Sequence, residues 1–125
     1  MIYGIGTDLI EISRIKDTLS KWNGRFIRRV FTRAEIAGLS NKKSRDEYYS
    51  VRFAAKEAFL KSLGLGLRDG ISWLDIETIN DALGKPVINL SGKAREVAEK
   101  VEIRNIFVSL SHTKNLGIAV VVLES

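Results

Sequence analysis

The feature that most constrains the fold lies near the C-terminal end. Residues 116–123, Leu-Gly-Ile-Ala-Val-Val-Val-Leu, carry no polar side chain, and their β-branched content suits a strand. Such a strand has no side that water can wet, so both of its faces must be covered. Only Thr113-Lys114-Asn115 separates it from a second strand-like run, Asn105 to His112, and so short a link forces the two to pair antiparallel. The cover can come from helices of the same chain on both sides, or from another subunit on one side.

Met1 to Ile12 also alternates, with Tyr3, Ile5, Thr7 and Leu9 on one face and Ile2, Gly4, Gly6, Asp8 and Ile10 on the other. Two glycines beside Asp8 clear that face, so a ligand or another backbone can approach it. From Ser13 the period turns helical. Ile15, Leu19, Trp22, Phe26 and Val30 form an apolar stripe, and Asn23-Gly24 leaves one long helix and two short ones equally open.

Thr32-Arg33-Ala34-Glu35 has capping-box spacing and opens a short helix ending near Ser40. A polar loop, Ser40 to Arg45, leads to a second box at Ser44 to Glu47 and to the longest helix, Glu47 to about Leu63, which Gly64 and Gly66 end. Trp73 to Ile79 and Pro86 to Leu90 read as strands, and Ser91 to about Val101 as a polar-faced helix. The fold class is α+β: a mainly antiparallel sheet packed with one long and several short helices, in one domain over residues 1–125.

With no Cys and one His, the chain excludes disulfides, thiolate zinc sites, iron–sulfur clusters and His-based metal sites, so any metal is held mainly by oxygen. No run approaches the roughly 20 apolar residues of a membrane span, and the N-terminus lacks a signal-peptide pattern, so a cytoplasmic protein is expected. The net charge is +5. Arg14, Lys16, Lys21, Arg25, Arg28, Arg29 and Arg33, against Glu11 and Asp17, account for all of it, which points to a localised acidic partner.

The long helix contains Arg52-Phe53-Ala54-Ala55-Lys56-Glu57-Ala58-Phe59-Leu60-Lys61. Arg52 and Lys56 interrupt its apolar arc, and long cations among core positions snorkel or meet an anion. Glu57 borders the arc with Lys61 one turn on, a spacing that an ordinary solvated ion pair also satisfies. Asp8 in turn fits a cap at a strand end. Mg²⁺, however, takes one or two carboxylates and completes its shell with water and phosphate oxygens. Asp8 and Glu57 with Arg52, Lys56 and Lys61 nearby would suit a diphosphate. His112 fits equally a partly buried structural histidine and a phosphate- or base-contacting group.

Gly4-Ile5-Gly6-Thr7-Asp8, Phe31-Thr32-Arg33-Ala34-Glu35, the Arg52 to Lys61 segment, Gly84-Lys85-Pro86 and Ser109-Leu110-Ser111-His112 follow one another as in the holo-[acyl-carrier-protein] synthases. The chain resembles this small branch of the 4'-phosphopantetheinyl transferases along essentially its whole length. The resemblance implies transfer of 4'-phosphopantetheine from coenzyme A to a serine of apo-acyl carrier protein, releasing adenosine 3',5'-bisphosphate, a step of fatty acid biosynthesis. It implies Asp8 and Glu57 as Mg²⁺ ligands, and catalytic roles for Asp8, Glu57 and Lys61.

By the same resemblance, Arg52, Lys56, Lys61, Gly64, Gly66, Lys85, Pro86, Ser111, His112 and Thr113 would contact coenzyme A. Arg14, Lys21, Arg25, Phe26 and Arg28 would dock the acidic carrier protein. It further implies a homotrimer with active sites at its interfaces, which would cover the apolar final strand. A nucleic-acid-binding module and a membrane-surface helix at Ser13 to Val30 are weaker rivals. The basic residues share their segment with a core pattern, and no RNA- or DNA-binding signature is present.

Overall fold

The computed structural model describes residues 1–40, 44–67 and 70–125. In chain order it contains β1 (Ile2–Glu11), α1 (Ile12–Val30), α2 (Arg33–Ala37), α3 (Arg45–Leu63), a 3₁₀ turn (Trp73–Asp75), β2 (Ile76–Asn80), β3 (Pro86–Leu90), α4 (Gly92–Lys100), β4 (Asn105–His112) and β5 (Leu116–Glu124). β5 is the middle strand of an antiparallel sheet ordered β1-β5-β4, and β2 with β3 forms a separate antiparallel pair.

The glycines of β1 make room for a backbone. A Cβ on Gly6 would lie 1.9 Å from the carbonyl oxygen of Ala58, and one on Gly4 2.0 Å from that of Ser62, so α3 lies directly on β1. Ala54, Ala55, Ala58 and Phe59 of α3 then bury against Ala119, Val121 and Leu123 of β5. A second cluster, Ile15, Leu19, Val30, Phe31 and Tyr49, joins α1 to α3.

The other face of the three-stranded sheet stays open. The rows Ile5-Val122-Phe107 and Leu9-Ile118-Ser111 run across it. Ile5 is 58%, Leu9 64%, Phe107 49% and Ile118 37% exposed, so the described helices of this chain do not cover both sides of β5.

Asn23-Gly24 does not break α1, which runs as one helix. Trp22, expected on the buried stripe, is 56% exposed, because no described element reaches over that turn. The Thr32–Glu35 capping box forms, although α2 ends at Ala37. The second box does not. Ser44 is the N-cap of α3, but its φ of −103° and ψ of 17° lie outside the extended geometry a cap requires, and its side chain makes no cap hydrogen bond. The predicted loop over 40–45 falls partly outside the described residues.

Gly64, at φ +79°, ends α3 in the left-handed conformation, and Leu65 N donates to Leu60 O (2.9 Å) as in a Schellman turn. The strand expected from Trp73 begins only at Ile76. Ser72 and Asp75 cap each other's ends of a 3₁₀ turn and draw the first three residues into it.

Candidate active site

Asp8 points from the inner face of β1 toward α3, where Glu57 and Lys61 stand one turn apart. Lys61 Nζ donates to Asp8 Oδ1 and to the carbonyl of Thr7, both at 3.0 Å. The described ion pair of Lys61 is therefore with Asp8, across two elements, and not with its helical neighbour Glu57. Nor does Asp8 cap a helix: the N-cap of α1 is Glu11.

Asp8, Arg14, Thr18, Phe26, Phe53 and Glu57 line one cleft of about 290 Å³ together with Leu9, Ile10 and Ile15. Burial raises the pKa of Glu57, and the nearby Asp8 raises it further, while Lys61 and Arg14 oppose the shift. Two carboxylates thus face one cleft. That donor set, oxygen only and two in number, fits a hydrated Mg²⁺ shared with phosphate oxygens. Among the described residues no group of three or more His, Asp or Glu side chains offers a protein-only cage.

A second cavity, about 320 Å³, lies beside another face of α3 and is lined by Glu47, Tyr48, Arg52, Asn80, Pro86 and His112, with Ser44, Val51, Gly84 and Leu110. Arg52 is only 6% exposed. Its guanidinium carbon lies 3.8 Å over the Tyr48 ring, and Nη2 reaches Asn80 Oδ1 at a long 3.3 Å. Among the described residues no acceptor reaches Nε, and no carboxylate forms an ion pair with the group. Burial lowers its pKa, with Tyr48 and Glu35 opposing. A buried cation so thinly satisfied has the chemistry to receive an anion.

Lys56, expected at the diphosphate, is not there. It is fully buried, and its ammonium donates to Glu35 Oε1 (2.8 Å), to the carbonyl of Trp73 (3.0 Å) and to that of Ile76. Three acceptors occupy three protons, so none is left for a ligand. The predicted strand end Ser111-His112-Thr113 also divides. His112 lines the Arg52 cavity, Ser111 pairs with Ile118 on the open outer face, and the Thr113 hydroxyl accepts from Leu116 N (3.1 Å) and Asn115 N (3.3 Å) within the hairpin turn.

Pro86 joins Arg52 in the second cavity, and Lys85 is exposed beside it, its N–H held by Asp81 Oδ1 at 2.9 Å. Gly64 and Gly66 follow Lys61 at the end of α3. Arg14 opens into the carboxylate cleft, which runs through Thr18 and Phe26 into a wide groove of about 780 Å³ bounded by Trp22, Arg25, Arg28 and Arg29. Lys21 is exposed on α1 but lies outside that groove.

Sequence reasoning missed Tyr48, Asn80 and Glu35. The i,i+4 spacing of Tyr48 and Arg52 signals the first, whereas nothing local marks Asn80. The spacing of Glu35 signals a capping-box member, a role that uses one carboxylate oxygen and leaves the other for a partner.

This fold and pair of sites define a phosphopantetheinyl transferase. The family model described as "4'-phosphopantetheinyl transferase superfamily" matches residues 4–121. A holo-[acyl-carrier-protein] synthase of Geotalea daltonii is 48% identical over 124 residues, covering 99% of each chain. The crystal structure of the enzyme of that name from Neisseria meningitidis superimposes with a TM-score of 0.91 at 35% identity over 100% of both chains. The Helicobacter pylori one, solved in complex with coenzyme A, does so at 0.84 with 31% identity, covering 96% of this chain and 99% of its own. Within the superfamily the chain belongs to the holo-[acyl-carrier-protein] synthases, and it is an enzyme, a transferase.

Proposed function

We propose that the chain transfers 4'-phosphopantetheine from coenzyme A to a serine of apo-acyl carrier protein, with Mg²⁺, releasing adenosine 3',5'-bisphosphate. The observation that carries this reading is the convergence of Asp8 and Glu57 on one cleft that opens into a basic, aromatic groove, with Lys61 bonded to Asp8. The serine oxygen attacks the phosphorus that bears the pantetheine. A new P–O bond forms as the bond to the bridging oxygen breaks, and the serine proton must leave.

Such a step is catalysed by positioning and by neutralising charge on phosphate oxygens. Mg²⁺ bound at Asp8 and Glu57 would supply Lewis-acid neutralisation of the diphosphate. Lys61, half exposed and already held by Asp8, faces the same oxygens and offsets the charge of the leaving bisphosphate. Glu57 lines the cleft in which the serine must lose its proton and would receive it.

The nucleotide end carries further phosphate, and the buried Arg52 with His112 and Pro86 suits it. Lys85, next to Pro86, and Gly64 and Gly66, just beyond Lys61, would be further contacts, as would Ser111 and Thr113 through the strand end. The carboxylate cleft and the Arg52 cavity lie on different faces of α3, so a single chain does not close them on one ligand. A homotrimer that buries the open sheet face of Ile5, Leu9, Phe107 and Ile118 would bring one copy's cleft to another copy's cavity.

On α1, Arg25 and Arg28 set positive charge around a groove to which Phe26 gives an apolar wall, with Arg14 in the adjoining cleft and Lys21 exposed outside the groove, a set complementary to an acidic carrier helix. Such a reaction would serve fatty acid biosynthesis, in the cytoplasm. Among the described residues no helix is long and apolar enough to cross a membrane. Incubation with coenzyme A, Mg²⁺ and apo-acyl carrier protein, read by intact mass, tests the reading. The carrier gains the mass of one phosphopantetheine; an unchanged carrier mass overturns it.

A further inference from the structure

The β2–β3 pair hydrogen-bonds to no strand of the three-stranded sheet, so side chains alone set where it sits on α3. Ile76 and Ile88 supply apolar contact, which resists separation but not sliding. Among the described residues, the directional contacts of β2 with α2 and α3 centre on one buried ion pair. Lys56 bonds the carbonyls of Trp73 and Ile76 at the start of β2 and Glu35 Oε1 at 2.8 Å. Glu35 accepts in addition from Thr78 N (3.0 Å) in β2 and from Thr32 N (2.9 Å), and the Thr32 hydroxyl donates to Glu77 (2.6 Å).

Residues 73, 76, 77 and 78 are thereby pinned in register against α2 and α3. Two residues beyond Thr78 stands Asn80, the hydrogen-bond partner of Arg52, and opposite Asn80 stands Pro86. A slip of one residue would carry Asn80 about 3.3 Å along the strand and turn its side chain to the other face. Arg52 would then lose the acceptor it has among the described residues, and the cavity its wall.

The carboxylate cleft has a separate support, the backbone contact of Gly4 and Gly6 with Ser62 and Ala58. We infer that Glu35 and Lys56 are positioning residues for the nucleotide cavity: they hold β2–β3 in the register that lets Asn80, Pro86 and Arg52 receive coenzyme A, and they leave the chemistry at Asp8, Glu57 and Lys61 untouched. The inference rests on the reading above that the Arg52 cavity takes the nucleotide end of coenzyme A.

The test varies coenzyme A at saturating carrier protein for the wild type, Glu35→Gln/Lys56→Met and Arg52→Gln. The double variant removes both buried charges together, so neither is orphaned. We expect its KM for coenzyme A to rise about tenfold and its kcat to stay within about twofold, with inhibition by adenosine 3',5'-bisphosphate weakened in the same proportion. A merely structural role lowers the melting temperature and the active fraction, hence apparent kcat, and leaves KM alone.

Loss of kcat at unchanged KM, or no change in either constant, overturns the positioning role. If Arg52→Gln leaves KM for coenzyme A unchanged, the nucleotide reading of the cavity falls and the inference with it. If Arg52→Gln raises KM and the double variant does not, only the inference falls. Should the double variant fail to fold, Glu35→Gln alone, which keeps the two carbonyl acceptors of Lys56, must show the same split at about threefold.

Discussion

Lys61 Nζ lies 3.0 Å from Asp8 Oδ1, a contact spanning 53 residues of sequence, while Glu57 stands one turn away on the same helix. The pair ties the end of α3 to β1 and holds one cation beside two carboxylates. Replacing Lys61 by Met removes the cation that offsets charge on the departing bisphosphate. We expect kcat to fall by about 10²-fold, with a much smaller change in KM for coenzyme A, and Lys61→Arg to recover part of the loss. Steady-state assays measure both, and an unaltered kcat contradicts the role given to Lys61.

Glu57 makes a prediction about stability as well as rate. Burial and Asp8 raise its folded-state pKa above the ordinary carboxylate value of about 4.3. As pH climbs through the window between those values, the unfolded chain releases its proton first, so stability falls with rising pH and stays lower above it. Glu57→Gln removes that cost. In EDTA the variant should melt above the wild type at pH 7, and the two should converge below about pH 4. Mg²⁺ should raise the wild-type melting temperature and leave that of the variant unchanged, and turnover should be lost. Thermal scans across pH, with and without Mg²⁺, report all three.

How much of this was legible beforehand depends on whether a residue's partner is local. The Thr32–Glu35 box, the Gly64 terminus and the β4–β5 hairpin depend on neighbours a few residues away, and each follows from spacing. Lys56 and Arg52 do not. Their spacing shows cations lodged in an apolar arc, which leaves open whether the compensating group comes from the chain or from a ligand. The fold decides: Glu35, 21 residues away, reaches Lys56, and no described carboxylate reaches Arg52. Trp22 fails in the opposite sense. It shares a stripe with Ile15 and Leu19, but periodicity cannot tell that the turn it sits on is left uncovered.

Gly6→Ala tests the packing that places Glu57. The added Cβ would lie 1.9 Å from a backbone oxygen of α3, which cannot rotate aside as a side chain could. Because α3 would have to lift from β1, we expect a loss of about 3 kcal/mol in denaturant unfolding. Gly66→Ala, where a Cβ meets nothing within 4 Å, should cost less than about 1 kcal/mol.

The groove on α1 separates two contributions to carrier recognition. Trp22 supplies an exposed aromatic anchor, and Arg25 and Arg28 supply charge around it. Trp22→Ala should raise KM for the carrier protein about tenfold without changing its salt dependence. Arg25→Ala/Arg28→Ala should flatten that salt dependence, because the lost term is long-range attraction. KM for coenzyme A should be unchanged in both, and a parallel rise in the two KM values would place the groove elsewhere in the reaction.

The open sheet face makes the sharpest prediction about assembly. Ile118 sits in the middle strand, between Leu9 and Ser111, and its side chain points away from α3. Ile118→Glu therefore leaves the chain's own core intact and puts a charge where subunits would meet. Sedimentation should show a trimer for the wild type and a folded monomer with little activity for the variant. If the active site is built from one copy's Asp8 and Glu57 and another copy's Arg52, two impaired variants, assayed at coenzyme A well below the raised KM of Arg52→Gln, can repair each other. Glu57→Gln and Arg52→Gln chains, unfolded together and refolded as an equal mixture, should recover about a quarter of wild-type activity, since random assembly places intact halves together at that fraction of interfaces. Recovery no greater than the sum of the separate variants would mean that each chain completes its own site.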